Sequence, residues 1–99
     1  FGTMKNKVYE YLLTIPQGKV VTYGQIAEYL GNKKLARVVG NILHNNPNER
    51  KSPCYKVVNA RGELSKQFAF GGLEGQKIRL ENDGIVVKDG RVDLTRYGL

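Results

Sequence analysis

The chain has 99 residues, with 16 Lys and Arg against 9 Asp and Glu, a formal charge of +7 and an isoelectric point near 9.7. That length supports one domain, residues 1–99, with a modest core, and a lone cysteine (Cys54) and lone histidine (His44) exclude a disulfide framework and a Cys/His zinc site. No apolar run is long enough for a membrane span or a signal peptide, so the expectation is a reduced, cytoplasmic, monomeric protein without cofactor or metal, whose basic charge points to a polyanionic partner, nucleic acid first.

Residues 4–14 place Met4, Val8, Tyr11 and Leu12 on one face, which predicts an amphipathic helix. Ile15-Pro16-Gln17-Gly18 breaks it, and Lys19-Val20-Val21 is a short β-branched run. Thr22-Tyr23-Gly24-Gln25 is a capping box, in which hydroxyl and amide side chains each satisfy the other's backbone N–H. It starts a short helix through Ile26, Ala27 and Leu30 that Gly31-Asn32 stops. A third helix is predicted from about Lys33 to His44, because Leu35, Val38, Val39, Ile42 and Leu43 keep the helical spacing without a gap.

Two short helices joined by a glycine-containing turn match the helix-turn-helix plan. Away from its apolar stripe the third helix carries Lys33, Lys34, Ala36, Arg37, Gly40, Asn41 and His44. Small residues permit close approach to a groove and the charges can meet phosphates; an ordinary solvated helix face has the same pattern. With the turn and the global charge added, DNA binding is the favoured reading.

Asn45-Asn46-Pro47-Asn48 ends that helix, and a polar loop leads to Ser52-Pro53-Cys54-Tyr55-Lys56. Val57-Val58 and Glu63-Leu64, separated by Asn59-Ala60-Arg61-Gly62, predict a small hairpin. Residues 65–72 are expected as a loop with Phe68 and Phe70 exposed or docking, and residues 73–82 as the last helix. Ile85-Val86-Val87, the Asp89-Gly90 turn and residues 91–94 predict a second hairpin. The fold class is therefore mainly α with small β hairpins, of winged helix-turn-helix type.

Cys54 stands out within this layout. A lone cysteine is most simply a small buried hydrophobe. Here Pro53 makes the backbone rigid on one side and Lys56 brings a positive charge that would favour the nucleophilic thiolate.

In order along the chain stand Ile15-Pro16-x-Gly18-x-Val20-Val21-Thr22-Tyr23-Gly24-x-Ile26-Ala27, Ala36-Arg37-x-Val39-Gly40, Asn46-Pro47, Pro53-Cys54-x-x-Val57-Val58 and Gly71-Gly72-Leu73. Together they resemble the C-terminal DNA-binding domain of the O6-alkylguanine-DNA alkyltransferases over residues 4–84, which leaves 85–99 as a hairpin and tail. The resemblance implies a domain that grips duplex DNA in the minor groove through Thr22, Tyr23, Lys33, Lys34, Ala36, Arg37, Gly40 and Asn41. It implies rotation of an O6-alkylguanine out of the stack, since the duplex hides the reacting atom. By matching position, Arg37 would fill the vacated space and Tyr23 would press on the 3′ phosphate. Cys54 would take the alkyl group in one irreversible turnover, and Asn46 would brace its turn. Pro53, Val57, Phe70, Gly71 and Gly72 would border the lesion pocket. Tyr23 as a packing residue, Arg37 as a plain phosphate contact and Asn46 as a helix stop are the simpler alternatives.

The departures are equally specific. Family members usually read Pro-Cys-His-Arg, with the histidine taking the thiol proton through a water and a glutamate orienting it. Here Tyr55 and Lys56 follow Cys54, and Asp83 replaces the glutamate. A phenol with ordinary pKa near 10 is a poor base at neutral pH; His44 lies on another element. Ala69-Phe70 stand where a tyrosine-serine pair usually helps hold the base, and the preceding loop is about two residues longer. The C-terminal residues 89–97, with an expected lack of the family's N-terminal domain, are similar to the alkyltransferase-like proteins, which bind such lesions without repairing them and pass them to excision-repair proteins. Those generally lack the cysteine that this chain retains. Alkyl transfer to Cys54, non-catalytic damage sensing and a transcription-factor-like binder indifferent to alkylation are thus the three readings.

Overall fold

The computed structural model describes residues 2–45, 53–66, 68 and 70–99. Helix α1 runs Gly2–Leu13, and its Val8 and Leu12 are wholly buried. Pro16 ends the helical run, and Gly18 turns the chain at φ +82°, where a β-carbon would be strained. Strand β1, Val21–Thr22, then leads directly into α2, Tyr23–Tyr29. Both halves of the capping box form: Thr22 Oγ1 accepts from the Gln25 N–H at 3.1 Å, and Gln25 Oε1 accepts from the Thr22 N–H at 2.8 Å.

The helix expected over residues 33–44 is divided. Asn32 Oδ1 accepts from the Lys34 N–H at 2.9 Å and caps a 3₁₀ turn, Lys33–Leu35. Leu35 sits at φ −80°, ψ 2°, so the α-helical path restarts with α3, Ala36–His44. Its Val39 and Leu43 enter the core while Arg37, Asn41 and His44 stay exposed, as the apolar spacing dictates.

The first predicted hairpin is not made. Strand β2, Val57–Val58, pairs in parallel with β1, in the register Val21 to Val57 and Thr22 to Val58. The physical reason is burial on both faces: Val20 and Val58 enter one apolar cluster, Val21 and Val57 the other. A strand wanted by two cores is better paired inside the protein than with the polar Glu63. Glu63 instead bridges Arg91, and the Val92 N–H donates to the Gly62 carbonyl at 2.8 Å.

Helix α4 spans Gly72–Asn82. The second hairpin forms as predicted, but shorter, with β3 (Val87–Lys88) antiparallel to β4 (Arg91–Val92) about an Asp89-Gly90 turn at positive φ. Leu94, expected in a strand, opens α5, Leu94–Tyr97, because the Asp93 carboxylate accepts from the Thr95 N–H and caps it. The chain then returns to β1. The Val20 N–H donates to the Tyr97 carbonyl at 2.8 Å, and the Leu99 N–H to the Val20 carbonyl at 2.9 Å.

One cluster joins α1, α2 and α3 with Cys54, Val57 and Phe68, and the other joins Val20, Val58, Leu64, Leu80, Ile85, Val92 and Tyr97. Phe68 therefore docks rather than lying exposed, and it meets Phe70 edge to face at 5.7 Å between ring centres. A β-carbon on Gly75 of α4 would lie 2.1 Å from the Phe70 carbonyl oxygen. Alanine normally favours a helix over glycine by about 1 kcal/mol. Gly75→Ala is nonetheless expected to destabilise by about 1–3 kcal/mol, as overpacking does, with the loss read by urea unfolding.

Candidate functional site

Pro53 and the 3₁₀ turn Cys54–Lys56 present the thiol. The Lys56 N–H donates to the Pro53 carbonyl at 3.2 Å, and the Val57 N–H closes the turn on the Cys54 carbonyl. Because β2 begins at Val57 and pairs with β1, this turn sits beside the start of α2. A cavity of about 410 Å³ opens there. Its lining combines Tyr23, the outward side of α3 (Ala36, Arg37, Gly40, Asn41, His44) with Leu43, and Cys54, Val57, Ser65, Phe68 and Gln76. The groups expected to grip DNA and the group expected to meet the lesion thus share one space.

Other expected residues take different places. Pro53, Phe70, Gly71 and Gly72 are not among the described residues that line the cavity, and Phe68 takes the place expected of Phe70. Lys33 and Lys34 are exposed just ahead of α3, where Lys33 pairs with Glu28 at 3.0 Å. The Thr22 hydroxyl is occupied as the α2 cap. Asn46 lies outside the described residues.

Lys56 departs most from its expected part. Its side chain is buried, and Nζ donates to the Ile15 carbonyl at 3.0 Å and approaches Asp83 Oδ2 at 3.9 Å. The Tyr55 hydroxyl donates to the same Asp83 oxygen at 3.1 Å. Tyr55 and Asp83, the two departures noted in the sequence, therefore form a direct pair with Lys56 alongside. The cluster ties the thiol turn to the C-terminal end of α4 and to the segment after α1. A phenol that is itself donating to a carboxylate is a weak base at neutral pH.

Burial holds the Tyr23 phenol above its ordinary pKa, opposed by a hydrogen bond with Ser65, while negative charge at Cys54 raises it further. Tyr9, whose hydroxyl donates to the Ile42 carbonyl at 3.2 Å, is raised by burial and then by Cys54 in the same way. Both phenols stay neutral donors through the physiological range, and both lie within electrostatic range of the sulfur.

Gln76 is the residue that sequence reasoning missed. It is 1% exposed, donates from Nε2 to the Tyr55 carbonyl at 3.0 Å and the Val57 carbonyl at 2.9 Å, and accepts the Ser65 N–H at 2.8 Å. Its spacing of four from the buried Leu80 was the available signal, since i and i+4 share a helix face. Among the described residues no group of three His, Cys, Asp or Glu could hold a metal ion, and no helix is long and apolar enough to cross a membrane.

Residues 3–85 match the family model described as the DNA-binding domain of 6-O-methylguanine DNA methyltransferase. A bifunctional methyltransferase/endonuclease of Picrophilus torridus is 42% identical over 91% of this chain, which spans only 30% of that relative's length. A DNA base-flipping protein of Vibrio parahaemolyticus is 38% identical, with 92% of this chain and 90% of the relative covered. Among solved structures, Schizosaccharomyces pombe Atl1 in complex with damaged DNA containing O6-carboxymethylguanine superposes with a TM-score of 0.90 at 35% identity, covering 100% of this chain and 96% of that one.

Two outcomes test this geometry. Replacing Lys56 with methionine leaves Asp83 and the Ile15 carbonyl without their buried cation, and a loss of about 2–4 kcal/mol is expected in urea unfolding. For Tyr9 and Tyr23 the folded pKa is raised, so the folded state holds more protons above pH ~10. Their contribution is full below that pH and falls as pH rises through the folded values. Alkaline thermal melts should therefore show an added loss of stability that Tyr23→Phe reduces.

Proposed function

We propose, on the premise that this chain belongs to the 6-O-methylguanine DNA methyltransferase DNA-binding family, that it finds O6-alkylguanine in duplex DNA and turns the damaged base into the cavity beside Cys54. The single observation behind this reading is the shared lining, in which the exposed residues of α3 and the thiol turn bound one space of about 410 Å³. Such a space suits a compact ligand that is largely enclosed. The bases flipped by the Vibrio relative and the lesion held by the Schizosaccharomyces neighbour support the same chemistry.

In this reading the basic residues of the helix-turn-helix hold phosphates in the minor groove. Arg37, exposed on the first turn of α3, enters the duplex where the base has left. Tyr23, a neutral donor, meets the adjacent phosphate and helps turn the nucleotide. Phe68 offers an apolar face and Ser65 a polar one to the extruded purine. Extrusion has a smaller penalty where the pair is already weakened by alkylation.

Alkyl transfer is the second step, and Cys54 on the cavity wall favours its occurrence. The sulfur would attack the alkyl carbon in line with the C–O6 bond. That bond breaks, a thioether forms, and guanine leaves carrying the electron pair on O6 and takes up a proton. The thiol must lose its own proton first. Tyr55 donates to Asp83, and Lys56 is engaged by Ile15 and Asp83. Neither sequence neighbour is a ready base, which leaves His44 on the same cavity lining as the candidate acceptor; in this reading transfer is slow beside lesion binding and the protein acts first as a damage sensor. Hand-over to excision-repair proteins, action as a monomer and residence in the cytoplasm alongside DNA belong to the same proposal.

Intact mass of the protein after incubation with an O6-methylguanine duplex tests the chemistry. One methyl on Cys54, appearing over hours while the complex forms in seconds, is the expected result. Equal affinity for lesion and plain duplex would overturn the functional reading in favour of an ordinary DNA binder. Arg37→Ala should lower lesion affinity about tenfold, as loss of a single arginine anchor does. Its melting temperature should hold, because the side chain is exposed. Affinity should also fall steeply between about 50 and about 200 mM salt, as phosphate contacts release counterions.

A further inference from the structure

We infer that Gln76 is a positioning residue that sets the distance between the two walls of the lesion cavity, an inference that rests on the proposed base-flipping function. Its amide reaches across the site from α4. Both Nε2 protons are used on the thiol-turn side, at the carbonyls of Tyr55, behind the cavity, and Val57, on its lining. The amide oxygen is used on the other, at the Ser65 N–H, whose side chain hydrogen-bonds Tyr23. Gln76, Val57 and Ser65 all line the cavity.

An amide suits this place because it combines two donors and an acceptor in one plane. Turned over, it would face N–H with N–H and carbonyls with carbonyl, so the network permits one orientation. Glutamate has the same shape but presents oxygen to both carbonyls. Methionine fills similar volume and makes none of the three bonds. Burial makes each unmade bond costly, because water cannot replace it.

The wall spacing bears on lesion binding and much less on the DNA grip, since α3 carries its exposed residues independently of α4. Gln76→Glu and Gln76→Met should each lower affinity for an O6-methylguanine duplex about tenfold or more, as a buried unmatched polar group does. Affinity for the unmodified duplex should change less than about twofold. A merely structural role would lower both affinities together. A residue that only fills space would leave Gln76→Glu selective.

A second measurement needs no variant. In the wild-type protein, NMR should find the Gln76 side-chain amide protons slow to exchange, and shifted by the lesion duplex but not by the plain one. Rapid exchange, or identical shifts with both duplexes, would overturn the inference even if the variants do not fold. Wild-type protein with no preference for the lesion overturns the functional reading and this inference with it. A selective wild type with an equally selective Gln76→Glu overturns this inference alone.

Discussion

Two rungs of parallel strand, Val21–Thr22 beside Val57–Val58, hold the helix-turn-helix against the thiol turn. The juxtaposition of the α2 start with the thiol turn follows from that pairing. β1 delivers Thr22 and Tyr23 to the start of α2, and β2 begins one residue after the turn that carries Cys54. The four valines at positions 20, 21, 57 and 58 are essentially fully buried, alternating between two apolar clusters. At about 1.5–3 kcal/mol per buried aliphatic side chain, their burial far exceeds what so short a ladder contributes by hydrogen bonding. Hydrophobic burial makes the pairing, and the pairing makes the cavity.

Around this junction the protein satisfies its buried polar groups internally. Among the described residues no buried side-chain nitrogen or oxygen lacks a hydrogen-bond partner. Lys56, two residues from the thiol in sequence, is turned to the Ile15 carbonyl and Asp83. Desolvation explains the choice: a buried ammonium ion requires a carbonyl or carboxylate close by. The Tyr55–Asp83 bond connects the thiol turn to the C-terminal end of α4 through a phenol, a group with little acid–base character at neutral pH. In the proposed function, binding and chemistry are separable, since the cavity depends on packing and alkyl transfer would also need a proton acceptor.

Local signals in the chain were read reliably where neighbours within about four residues decide the outcome. The Thr22/Gln25 capping box, the apolar stripe of α3, the break at Pro16 and the Asp89-Gly90 turn each depend on such short-range geometry. The ordered motifs from Ile15 to Leu73 carried the family, and the family carried the fold class. What stayed illegible was decided at long range. Val57-Val58 has the same local appearance whether it pairs with Glu63-Leu64 or with β1, and only the presence of a core on each face selects β1. Leu94 is the exception, because the Asp93 cap that opens α5 is a local signal that competes with the strand-like look of the segment.

The amino-acid sequence by itself thus determined α1, α2, α4, the apolar stripe of α3, the Asp89-Gly90 turn, the basic outer face of α3 and the identity of the thiol. Each of these rests on residue chemistry and spacing along one stretch of chain. Tertiary structure alone decided that Arg37 and Cys54 border one cavity, that Phe68 rather than Phe70 lines it, and that Gln76 lines it while bonding Ser65 and Val57. Those outcomes depend on which distant segments exclude water from one another. No pattern along the chain encodes that exclusion directly, because burial is a property of the packed whole.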